Sequence, residues 1–134
     1  MKKVFLLIAL FFLALAACDK PNVQNKSYPE KLVGKWYYSQ QFYSIGGPLI
    51  YTSTENLHQW INFKSDGGFS SNLPQFKNVV SYEVLDSVKI RFNSPATSSS
   101  ERFFVQIDTQ TQTLALSSAD NICIEGCGMK FKRD

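Results

Sequence analysis

The chain has 134 residues, of which 44% are hydrophobic and 14% aromatic, with a formal charge of +3 and an isoelectric point near 8.8. That apolar content excludes a disordered chain, and one domain of roughly 100 residues beyond a leader is large enough for a single core. The 14 basic residues are scattered rather than clustered, so the chain carries no electrostatic footprint for nucleic acid.

At the N-terminus Lys2 and Lys3 precede an uncharged apolar run from Val4 to Ala17. Such a run is shorter than the roughly 20 residues that span a bilayer, and it ends in small residues, as a secretory leader does. Leu15-Ala16-Ala17-Cys18 resembles the lipobox of bacterial lipoproteins. In that family the leader is cut before the cysteine, whose thiol receives a diacylglyceryl group. The resemblance implies a leader over residues 1–17, lipid on Cys18, and a place in the bacterial cell envelope, on the outer membrane at its periplasmic or surface face. Each buried CH₂ contributes about 0.8 kcal/mol, so two or three chains make a stable anchor. Lys2 and Lys3 leave with the leader, and the remaining chain is close to neutral.

Residues 18–30 are Cys18 and the twelve residues "DKPNVQNKSYPE", where two prolines and many polar side chains leave little to bury. This reads as a flexible tether, and twelve extended residues reach up to about 40 Å.

From residue 31 to 134 the apolar residues recur with period two. "GKWYYSQQFY" sets Trp36, Tyr38 and Phe42 against Lys35, Ser39 and Gln41, and "HQWINFK" sets Ile61 and Phe63 against His58, Asn62 and Lys64. The same alternation places Val80, Tyr82 and Val84, Val88, Ile90 and Phe92, Phe103, Val105 and Ile107, Leu114 and Leu116, and Met129 and Phe131 on inward faces. One apolar and one wet face is the pattern of half-buried antiparallel strands. "KSDGGF" reads as a hairpin turn, "LDSV" and "DTQTQT" as tight connections, and "NSPATSSSE" as a longer polar loop. Eight strands joined by short turns predict an all-β, eight-stranded up-and-down antiparallel barrel, with a two-sheet β-sandwich as the alternative. An eight-stranded barrel is filled by side chains or holds one small ligand.

"LVGKWYYSQ", "INFKSDGGFSSN" and "CIEGCGMKFKR" together resemble the small lipocalin-like lipoproteins of Bacteroidota. Those proteins run a Gly-x-Trp opening strand, a Phe-x-x-Asp-Gly-x-Phe hairpin, several short strands and a closing strand. The resemblance implies that Trp36 plugs the barrel floor beneath Arg133 or Lys132. Together with the aromatic inward face, it points to a pocket at the open end lined by Tyr38, Phe42, Tyr82, Phe92 and Phe103.

The long connection "FYSIGGPLIYTSTENLHQW" reads as a loop over the mouth, with Gly46-Gly47-Pro48 a bend. His58, the single histidine, reads as an exposed strand residue, because a metal site or triad needs partners. The carboxylates fall in turns or on outward positions, and none forms a paired glycosidase motif. Ser87, in "DSV", resembles a short O-glycosylation acceptor of Bacteroidota. With Cys18 lipidated, Cys123 and Cys127 remain in an oxidising compartment. Metal binding needs further soft ligands, and a redox pair is typically Cys-x-x-Cys, which leaves a disulfide. Its Cα atoms must come within about 7 Å, against about 13 Å for an extended stretch, so the chain has to turn at Gly126. Closing so small a loop stabilises by about 2 kcal/mol on the chain-entropy model.

Two functions fit these readings. The first is a membrane-anchored, lipocalin-like module taking a small hydrophobic molecule or lipid at the open end. The second is a non-catalytic structural, interaction or inhibitor lipoprotein with a filled barrel, a monomer that contacts another envelope protein. Neither calls for an enzyme's catalytic set, a cofactor, a metal or nucleic acid.

Overall fold

A computed structural model describes residues 30–120 and 126–133. The leader, Cys18, the tether to residue 29, and Cys123 lie outside the described residues. Nine strands follow in chain order: β1 (Gly34–Tyr43), β2 (Ile50–Ser53), β3 (Trp60–Phe63), β4 (Phe69–Ser71), β5 (Ser81–Val84), β6 (Lys89–Ser94), β7 (Ser99–Asp108), β8 (Thr113–Ser118) and β9 (Cys127–Lys132). Short 3₁₀ turns occupy Glu55–Leu57, Pro74–Phe76 and Pro95–Thr97, and there is no α-helix among the described residues.

The strands form one antiparallel sheet in the order β4-β3-β1-β9-β8-β7-β6-β5, with β2 paired to β1. Its two ends meet at a bridge between Gly68 and Ser81, supported by the Phe69 N–H to Val80 carbonyl bond at 2.9 Å and the Tyr82 N–H to Gly67 carbonyl bond at 2.8 Å. The result is a nearly closed eight-stranded up-and-down barrel of lipocalin-like form, and the continuous sheet excludes a two-sheet sandwich.

Three hairpins share one local device. A turn aspartate turns its carboxylate back to accept backbone N–H groups that the ladder leaves unpaired. Asp66 takes the Gly68 N–H at 2.8 Å, Asp86 takes that of Val88 at 2.8 Å, and Asp108 takes those of Gln110 and Thr111 at 2.8 and 3.2 Å. Gly67 follows Asp66 at φ +86°, where a glycine is at ease. All three turns lie at the floor end of the barrel, where β1 begins. The polar loop expected after β6 is shorter than its composition suggests, because Ser99–Glu101 already pair with Ser94–Phe92 as the start of β7.

β2 is the ninth strand, formed inside the segment expected to be a loop. β1 is ten residues long, whereas β3 pairs only its first four, from Gly34 to Tyr37. The upper half of β1 would otherwise present a bare edge. The chain bends at Gly46 and Gly47 and returns along it, pairing Tyr43 with Ile50 through to Gln40 with Ser53.

The core is one aromatic-rich cluster inside the barrel. Val80 and Val88, expected on the inward face, are exposed instead, because Val80 precedes β5 and Val88 sits in the turn before β6. Phe92 sits at its centre, with ring centroids 6.0, 4.7, 5.1 and 5.3 Å from Phe63, Phe69, Phe76 and Phe103. At the floor the Trp36 indole donates to the Leu32 carbonyl at 2.9 Å, and the Arg133 guanidinium lies 4.0 Å from the centre of the Trp36 ring. Arg133 also donates to the Val33 carbonyl at 2.7 Å, while Lys132 points elsewhere, to the Glu55 carboxylate at 2.7 Å.

Candidate functional site

Four of the five residues expected to line a pocket, Tyr38, Tyr82, Phe92 and Phe103, face inward and are buried. They pack on other rings rather than around a space: Tyr38 on Phe131 at 5.3 Å, Tyr82 edge-on to Phe63 at 4.9 Å, Phe103 on Phe76 at 5.8 Å. Burial pushes the Tyr38 phenol above its ordinary value. The mouth is stopped by Leu73 and Phe76, from the segment between β4 and β5, and both are buried. The expected lid, residues 42–60, does not do this. The plug comes from a segment with no periodicity to announce it.

The fifth residue, Phe42, is outside the barrel. β1 and β9 pair in register up to Tyr38 with Phe131, then resume at Gln40 with Lys130, so Ser39 is an extra residue on β1. A bulge of one residue exchanges the faces of everything beyond it. Ser39 is held in place by its own hydroxyl, which donates to the Lys130 carbonyl at 3.0 Å, and by its carbonyl, which accepts the Thr54 N–H at 2.9 Å. Beyond it Gln41 takes the inward side opposite Met129, and Phe42 lies opposite Gly128 on the outer face.

That displacement builds a groove. Phe42 packs on Tyr51 of β2 with centroids 5.9 Å apart, and Leu49 stands beside them as one wall. Phe104 and Gln106 of β7 form the other. Small outward residues of β8, Thr113, Ala115 and Ser117, make the floor, and Gly128 of β9 leaves room for the Phe42 ring. The groove encloses about 380 Å³, with Lys130 and Asp108 toward one end. Its chemistry is apolar contact between two ridges with a mixed-charge end. The signal in the sequence was Gly128, a glycine inside a strand pattern, which marks a close approach.

A second cavity, of about 230 Å³, opens at the floor end beside the Trp36 plug. Leu32, Val84, Ile90, Val105 and Ile107 give it apolar walls, with Lys31, Asp86 and Lys89 at its rim. A third, about 190 Å³, lies outside β1 near the bulge and includes Tyr37, Glu55, His58 and Lys132. His58 is exposed there in a left-handed conformation, at the end of the first 3₁₀ turn rather than on a strand.

Other polar groups are committed elsewhere. Asp66, Asp86 and Asp108 hold turns, while Glu83 pairs with Arg91 and Asp120 with Arg102. The Arg102 side chain and backbone N–H hold the Asp120 carboxyl below the usual range. No group of three or more metal-ligating side chains occurs among the described residues. Ser87 is exposed in the β5–β6 turn, and Cys127 opens β9 half-buried. The Cys123–Cys127 pair and lipid on Cys18 rest on positions outside the described residues. Compared with protein-family models, with curated proteins and with solved structures, the chain finds no match.

Proposed function

We propose that this chain is a non-catalytic, lipid-anchored interaction protein of the bacterial cell envelope, with a filled barrel as its scaffold and the outer groove as its contact surface. Cys18 carries the lipid, the tether links it to the domain, Cys123 and Cys127 close a small loop at the start of β9, and Ser87 is an accessible acceptor for a sugar. The observation that carries the reading is the ring contact network around Phe92, which occupies the space a calyx ligand would need. The surface left for recognition is the groove between Phe42 and Phe104, which suits an apolar ridge of another protein.

A photo-crosslinking residue in place of Phe104, in cells, is expected to give a discrete adduct, and one in place of Asn62 on the outer face of β3 to give none. Ala115→Trp, which fills the groove floor, should abolish the adduct. Monomer alone at both positions would end this reading.

The floor-end cavity favours a second reading, in which a small hydrophobic molecule binds the barrel at the end opposite its mouth. Five apolar side chains line it, and Lys31 at the rim suits an anionic head. Medium-chain fatty acids should then raise the melting temperature, and Ile107→Trp should remove the effect. An unchanged melting temperature across chain lengths excludes it.

A further inference from the structure

We infer that the tip of the β1–β2 hairpin is a second membrane contact, seating in the headgroup region of a bilayer. Among the described residues, seven of the ten exposed large hydrophobic side chains fall between Tyr37 and Leu57. Ile45, at the turn itself, is 78% exposed, and Tyr43, Leu49, Ile50 and Tyr51 surround it. Between Lys35 and Glu55 there is no charged residue at all. A strand pair reaching into water is normally protected by charges, often lysines, and this one has none. Its composition, tyrosines below an Ile-Gly-Gly-Pro-Leu-Ile tip, is that of a segment meeting an interface, where aromatic rings sit at headgroup level and aliphatic side chains go deeper.

Chain length allows it. β1 runs from the floor to the tip, so the tip and Glu30 lie at opposite ends of the barrel. Ten residues at about 3.3 Å each, tilted by about 40°, make a wall of about 25 Å. A twelve-residue tether reaching up to about 40 Å passes that height, so a chain anchored at Cys18 can set its mouth end on the same membrane. A protein bound in the groove, whose Phe42, Leu49 and Tyr51 wall adjoins the tip, would then be met close to the lipid.

The inference rests on the lipid-anchor reading for its geometry but is tested separately from it. The full lipidated chain is reconstituted into phosphatidylethanolamine/phosphatidylglycerol vesicles, with an environment-sensitive fluorescent amino acid at position 45, or at 66 or 110 in the floor-end turns. The expected result is a blue-shifted emission at 45, quenched by lipid-borne quenchers and shielded from aqueous ones, with 66 and 110 fully aqueous. Ile45→Asp, a change at an exposed turn, should make a probe at position 49 aqueous while leaving the melting temperature unchanged. Equal aqueous quenching at 45 and 66 overturns the inference. So does shielding at 45 in detergent with a doubled particle mass, which would mean a second copy, or shielding only in native envelopes, which would mean a protein. If mass analysis finds Cys18 unmodified, the anchor reading fails alone, and the unlipidated chain mixed with the same vesicles still decides the tip.

Discussion

The ring of Phe42 lies on the bare backbone of Gly128, where a β-carbon would stand 2.5 Å from its Cζ. The same β-carbon would meet the Leu116 carbonyl oxygen at 2.5 Å and the Ser117 hydroxyl at 2.8 Å. Gly128→Ala should therefore destabilise the domain by about 1–3 kcal/mol, as overpacking does. Adding Phe42→Ala should recover only part of the loss, because the Leu116 carbonyl belongs to the backbone and cannot move aside. Urea denaturation of the three variants checks both points, and a neutral Gly128→Ala would mean that Phe42 does not rest there.

Phe92 and Phe42 are both phenylalanines on strands expected to face one pocket, yet they should respond very differently to truncation. Phe92 is 1% exposed and touches four other rings. Phe92→Ala should cost about 3–5 kcal/mol, the range for a buried ring replaced by a cavity. Phe42→Ala, on the half-open outer face, should cost about 1 kcal/mol, in proportion to the smaller area it buries. Equal losses at the two positions would contradict the exchange of faces at Ser39.

Arg133 holds the floor through its stacking on Trp36 and its donation to the Val33 and Lys31 carbonyls. Arg133→Ala should lower stability by about 1–2 kcal/mol and alter the Trp36 fluorescence. Arg133→Lys should restore little of either, since an ammonium lacks the planar fork that stacks and donates at once. Full rescue by lysine would reduce the interaction to charge alone.

The β7–β8 turn should resist acid until the pH falls below the ordinary carboxylate range. The Thr111 hydroxyl, followed by the Gln110 and Thr111 backbone N–H groups, holds the Asp108 carboxyl below its usual range. A carboxyl lowered in the folded state adds stability that is present above the unfolded value, near 3.9, and is lost as pH falls through the folded value. The Gln110 and Thr111 amide resonances should therefore shift only below the ordinary carboxylate range. In Asp108→Asn they should hold steady through that window. A midpoint at or above the ordinary carboxylate value would show that the turn bonds are weak.

Most of the barrel is legible in the sequence because most strands alternate without interruption. Ile90 and Phe92, or Leu114 and Leu116, declare their inward face by period two, and the turn aspartates mark where the chain reverses. What is illegible has one cause in three forms, namely structure that depends on a partner rather than on local pattern. The Ser39 bulge leaves no compositional mark, so Phe42 reads as inward. β2 exists because β1 outlasts β3, and its four residues are exposed on both faces. Phe76 plugs the mouth from a 3₁₀ turn, where neither periodicity applies.

The bulge also sets the rules by which this protein can change length. Below Ser39 the first strand is wall, and above it the same strand is a handle that presents Phe42 and the hairpin outward. Two residues added or removed above the junction would keep every side chain on its present side. One residue would invert the handle, turning Phe42 toward the plugged mouth and Gln41 onto the groove. Deleting Ser39 alone would make that inversion and take Phe42 out of the groove wall while leaving the strand below it in register, so the junction is where a single codon separates two surfaces carried by one fold.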